Sequence, residues 1–201
     1  MYYGDVKYLG CSSTHFLPEG WQLITLERLF QNFYGESLQK SIYRIEKLEN
    51  RIHFLVEQTI RITGLKNFGE YMSQLLTIDA LFLNQDRHAH NIAVLMDREG
   101  IYHYCPVFDN GAGLLSDTTM DYPMGIEIEK LIEKPKSKTF CQNFDEQLDV
   151  IECLYGQHLK FHFSYENVQA LLEDEMYYPD NIKGRVKHII LEQKRKYGYL
   201  F

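Results

Sequence analysis

Apolar side chains recur at helical spacing through much of this chain. Residues 39–63, QKSIYRIEKLENRIHFLVEQTIRIT, place Ile42, Ile45, Leu48, Ile52, Leu55, Val56 and Ile60 at steps of three and four, which predicts one amphipathic helix. The next run, LKNFGEYMSQLLTIDALFLN, repeats the pattern, with Phe68, Tyr71, Met72, Leu75, Leu76, Phe82 and Leu83 on one stripe. Three further helices are expected near the end, over residues 144–155, 165–176 with Ser164 as N-cap, and 181–196. Between these helical blocks the period changes. NIAVLMD and IYHYCPVF are rich in β-branched and aromatic residues and flank the turn sequence DREG, which predicts a β-hairpin. Residues 2–9 also read as a strand, yet too few strands surround them to form a sheet; LITLERLF, after the Pro18–Gly20 turn, turns helical. Residues 116–143 show little period and read as a loop with one short strand. The pattern as a whole describes a mainly α (α+β) domain with a small hairpin in its middle.

Composition narrows the class. With 201 residues, 45% of them hydrophobic, and only 13 Gly and 5 Pro, the chain suits one globular domain rather than a disordered segment. Its net charge of −7 disfavours a sequence-independent grip on nucleic acid phosphates. No apolar run approaches the ~20 residues that span a bilayer, so no membrane contact is expected. Cys11, Cys105, Cys141 and Cys153 form no CxxC pair and no leader pattern precedes them, which predicts reduced thiols in a cytoplasmic protein.

Two acid-bearing clusters, DRHAHN and FDNG, flank the hairpin. Asn91 follows Asp86 by five residues at the mouth of the first strand, and Asp109 comes directly after the second, so three oxygen ligands gather at one end. Mg²⁺ takes one or two carboxylates, amide or water oxygens, and substrate phosphates, a requirement that Asn91 and Asp109 meet. Asp86 is then free to orient and deprotonate a hydroxyl nucleophile in a phosphoryl transfer. Taken singly, each of the three is an ordinary turn or cap residue; the joint pattern is what carries the reading. Asp79 falls on the apolar stripe, either at its edge reaching water or bracing the loop that follows. Two other chemistries compete: zinc held by His88 and His90 with His103 and Cys105, and a nucleophilic Cys105 paired with a histidine.

The stretch DALFLNQDRHAHN, Asp79 to Asn91, together with PVFDNGAGLL, Pro106 to Leu115, resembles the C-terminal lobe of HipA-like kinases, bacterial serine/threonine kinases often found as toxins in toxin–antitoxin operons. The resemblance implies the helical C-terminal lobe of a protein-kinase-like fold. It also implies Asp86 as catalytic base, Asn91 and Asp109 as ligands of Mg²⁺ (or Mn²⁺), and ATP as co-substrate. Asp79, Asn84, His88 and Gly111 would support these loops, and the hairpin floor near Val94 would touch the nucleotide. The expected partition of the single domain 1–201 is a hinge and strand region over 1–25, helices over 26–83, catalytic loop, hairpin and metal-binding loop over 84–115, a loop over 116–143, and C-terminal helices over 144–201. The phosphate-covering loop and lysine of a two-lobed kinase find no counterpart; Lys7 falls where the hinge strand should run. The expected partners are therefore a protein substrate and an N-lobe, or an antitoxin, supplied by another polypeptide. The alternatives are a non-catalytic, pseudokinase-like binding module and a lipid-kinase-like phosphotransferase, since phosphatidylinositol kinases share the DRHxxN motif.

Overall fold

A computed structural model describes residues 13–201, together with the main chain of two short strands, β1 (Tyr2–Tyr3) and β2 (Val6–Lys7), which pair antiparallel. The rest of the strand expected over residues 2–9, and with it part of the hinge and strand region expected over residues 1–25, lies outside the described residues.

Among the described residues eight α-helices follow, with a three-stranded antiparallel sheet between them in sequence: β3 (Gln22–Thr25), α1 (Leu26–Tyr34), α2 (Leu38–Tyr43), α3 (Leu48–Thr63), α4 (Phe68–Phe82), β4 (Ala93–Met96), β5 (Tyr102–Tyr104), α5 (Ile128–Leu131), α6 (Phe144–Tyr155), α7 (Tyr165–Asp174) and α8 (Asp180–Lys196), after which a 3-10 turn spans Gly198–Leu200. The sheet order is β3-β4-β5, with Thr25 opposite Ala93 and Val94 opposite Tyr104. Strand β3 is the element that the helical reading of LITLERLF missed. Thr25 ends the strand and caps α1, its hydroxyl accepting from the Arg28 amide at 3.3 Å, so one residue changes the backbone from extended to helical.

The helix expected over residues 39–63 is two helices. No Gly or Pro divides α2 from α3; the break is held from outside, because Arg51 donates to the carbonyl of Ile45 at 2.6 Å and to that of Phe140 at 2.9 Å. The Ile45 carbonyl thus finds its partner in a guanidinium. The loop after the hairpin holds one turn of helix, α5, rather than a strand, and is pinned from below. Buried Gln147 on α6 accepts from Ser137 Oγ at 3.1 Å and from the Phe140 amide at 3.0 Å. The last helices start close to where their caps predict, with a full capping box at Ser164 and Asn167.

A large apolar core joins α1 to α4, α6 and α8, and Val94 belongs to it. A second, smaller cluster of Ala93, Leu95 and Cys105 packs with Leu17, Trp21, Leu23 and Phe108. Because strand side chains alternate, the two clusters take opposite faces of the sheet. Among the described residues no helix is long and apolar enough to cross a membrane.

Candidate functional site

The site is built from the C-terminus of α4, the loop of residues 83–92, and the segment that leaves β5. Helix α4 ends on Leu83 in the left-handed region, φ +54°, where glycine is the usual residue. Among the described residues, the non-glycine positions with positive φ are Leu83, Asp109, Leu114 and Leu115, all on these loops. Such a conformation costs roughly 1–2 kcal/mol for a residue with a Cβ. Its concentration here marks backbone held in place by its surroundings.

Beneath the loops lies a buried polar layer. Asp79 is 1% exposed and accepts from Arg87 Nε at 2.9 Å, from Arg87 Nη2 at 3.0 Å and from Asn84 Nδ2 at 2.9 Å. Of its two readings, the brace is therefore the one the structure has. Burial pushes the Asp79 carboxyl up from the ordinary carboxylate range, while the bonds from Arg87 and Asn84 pull against it. Arg87, absent from the expected supports, makes the most contacts. Its Nη1 donates to the Asn91 carbonyl at 2.8 Å and the Phe108 carbonyl at 2.7 Å, and its Nη2 to Asn110 Oδ1 at 2.5 Å. One guanidinium thus ties the helix end to both loops. A signal for it existed: a carboxylate on a buried stripe needs a cation, and Arg87 is the first Lys or Arg after Asp79.

Above that layer the three expected functional side chains differ in exposure. Asn91 is nearly buried and donates through Nδ2 to the Asp86 carbonyl at 3.0 Å, which leaves its Oδ1 as a free acceptor. Asp109 is exposed at φ +54°, between the Arg87-bound residues Phe108 and Asn110. The Asp86 side chain is 45% exposed, with His88 Nε2 at 3.8 Å and Lys138 Nζ at 3.6 Å. Lys138 comes from the long loop, whose Thr139 hydroxyl donates to the Arg87 carbonyl at 2.7 Å. The last lysine of that loop thereby delivers one cation to the site.

The remaining site residues sort by geometry. His88 lies beside Asp86, and its Nδ1 accepts from the His90 amide at 3.3 Å, so it shapes the turn. Gly111 offers its carbonyl to Ser116 Oγ at 2.7 Å, and nothing lies within 4 Å of where a Cβ would stand; the crowded glycine is Gly113, whose Cβ would meet the Phe82 carbonyl at 3.0 Å. Val94 is fully buried among the helices, so its side chain is turned away from any ligand on the other face of the sheet. Its neighbours Ala93 and Leu95 belong to the second face.

The competing chemistries do not assemble. His103 stacks on Trp21 with centroids 4.4 Å apart and bonds Asp97 at 2.8 Å. Among the described residues no three His, Cys, Asp or Glu side chains could hold a metal ion. Cys105 is buried, and desolvation pushes its thiol up to about 11, the opposite of an activated nucleophile.

No protein-family model matches this sequence, and no curated protein does. Among solved structures, the chain superposes on the crystal structure of a Helicobacter pylori proinflammatory kinase, CtkA, with a TM-score of 0.62, covering 90% of this chain and 67% of that one at 16% sequence identity. The fold is kinase-like. In that fold, α4, the loop of residues 83–92 and the β4–β5 hairpin form part of a mainly helical lobe with a small sheet.

Proposed function

We propose that this chain is the catalytic lobe of a HipA-like serine/threonine protein kinase, of the kind found as toxins beside antitoxins in the cytoplasm. It would transfer the γ-phosphoryl group of ATP to a protein hydroxyl, working together with an ATP-gripping lobe. The observation that carries this reading is the Arg87 clamp. One nitrogen bonded to both the Asn91 and Phe108 carbonyls holds Asn91 and the residue before Asp109 side by side, with Asn91 Oδ1 left free. The kinase-like fold supports it.

The donor set suits a hard divalent ion. Asn91 and Asp109 offer one amide and one carboxylate oxygen, a set that a Mg²⁺ (or Mn²⁺) ion would complete with phosphate and water oxygens. When bound, that ion would neutralise charge on the phosphates. Asp86, open to solvent on one side, would orient the acceptor hydroxyl and take its proton. Lys138, beside it, would meet the negative charge of the transferring phosphoryl group. The adenine would lie on the second face of the sheet, where Leu17, Leu23 and Phe108 form a partly open apolar surface.

The test is labelled-phosphate transfer by the chain with and without a complementary N-lobe, comparing wild type with Asp86→Ala and Asp109→Ala. The expected result is Mg²⁺-dependent transfer by the reconstituted wild type alone. A silent reconstituted pair, or an Asp109→Ala variant with full activity, overturns the proposal in favour of a non-catalytic binding module.

A further inference from the structure

Apart from this site, the molecule carries a groove of about 720 Å³ between the segment Gly113–Thr118 and helices α7 and α8. That volume falls inside the roughly 300–1,000 Å³ typical of small-molecule sites. Its walls are apolar. Ile182, Val186 and Ile190 repeat every four residues along α8, and they face Val168 and Leu171 of α7 and Phe82 at the end of α4. In the same lining stands Arg185, only 6% exposed. Its Nη2 donates to the Tyr122 carbonyl at 2.9 Å, its Nε has no partner, and no carboxylate pairs with it among the described residues. Burial lowers its basicity, and on its other side it lines a shallower groove that also holds Glu127 and Glu129, neither within ion-pair distance. An arginine is rarely so buried without an anion beside it, because the stranded charge is costly.

We propose that this groove binds a long-chain monocarboxylate, with the alkyl chain along the α7–α8 wall and the carboxylate on the Arg185 guanidinium. A single cation without an anionic partner, in a largely apolar channel, matches one negative charge on a hydrocarbon chain. A peptide would fit less well, since each of its residues brings a backbone donor and acceptor, and besides Arg185 the polar side chains of the walls are Ser116, Thr118, Asn167 and Tyr178. The bound chain would also lie against Leu114, whose amide donates to the Phe82 carbonyl at 2.7 Å, five residues beyond Asp109.

The experiment titrates the full chain with oleate and, as an uncharged comparator, oleyl alcohol, following intrinsic fluorescence and calorimetric heat. Wild type should bind one oleate saturably and prefer it to the alcohol by about tenfold or more, the scale of one charge-assisted hydrogen bond. Arg185→Met should remove that preference and leave alcohol binding unchanged, with folding checked by circular dichroism. Val168→Trp, which fills the groove, should abolish binding of both. Should Arg185→Met fail to fold, the wild-type preference and the Val168→Trp result decide. Absence of saturable oleate binding, equal affinity for acid and alcohol, or a concentration-dependent dimer that Val168→Trp dissociates would overturn the proposal, the last assigning the groove to a second copy of the chain.

Discussion

Asp79 and Asp86 stand seven residues apart on the chain, and their surroundings are opposites. Asp79 is sealed beneath the loop with three donors on its carboxylate, two of them from Arg87. Asp86 is nearly half exposed and, among the described residues, its carboxylate has His88 and Lys138 beside it, neither within hydrogen-bond distance. One carboxylate is locked and the other is left available. A group that must bind or move a proton needs unsatisfied capacity and solvent or substrate access, whereas a group that positions a loop works best with every lone pair engaged.

The contrast is tested most severely from below. Arg87→Met should strand the buried Asp79 charge and destabilise the fold by about 3–5 kcal/mol in urea unfolding. The double variant Asp79→Leu with Arg87→Met should lose much less than the sum of the two single changes, since neither charge is then left alone. If the single variants are additive, the buried layer is not a unit.

Above the layer the expected effects separate stability from chemistry. Asp86→Ala should change unfolding free energy by no more than about 0.5 kcal/mol. The same change should reduce phosphoryl transfer by the reconstituted kinase by about 10²–10⁴-fold. Equal losses in both measurements would place Asp86 with the structural group. Lys138→Ala should be milder still: its ion pair is exposed, so unfolding should shift by about 0–1 kcal/mol, with a partial loss of transfer.

The smallest expected effect lies at the far end of the hairpin. Asp97 accepts from His103 at 2.8 Å and from the amides of Glu99 and Ile101, each at 2.9 Å, and these bonds, that of His103 foremost, hold its carboxyl below the usual range. A depressed folded-state pKa means that the stabilisation is fully present above the unfolded value of about 3.9 and is lost as pH falls below it through the folded one. Amide exchange at Glu99 and Ile101 should therefore show weaker protection, relative to the chemical exchange rate, once pH drops beneath about 4. Protection that stays constant across that range would show that the turn holds without the Asp97 carboxylate.

Local patterning determined a good deal of this protein. Helices α3, α4, α6, α7 and α8 and the β4–β5 hairpin follow from apolar spacing, caps and turn residues, which act over three or four neighbours and so are written in the chain itself. The spacing of Asp86, Asn91 and Asp109 was likewise legible, and so was the oddity of a carboxylate at position 79. Tertiary structure decided what depends on distant partners. Strand β3 exists because β4 lies beside it, the break before α3 because Arg51 reaches Ile45 and Phe140, and the face of Val94 because the sheet packs on the helices. Lys138 meets the site, and Arg185 lines its groove, only once residues dozens of positions apart are brought together. A side chain's spacing is encoded locally, but its electrostatic partner is set by folding, and it is the partner that separates a structural charge from a chemical one.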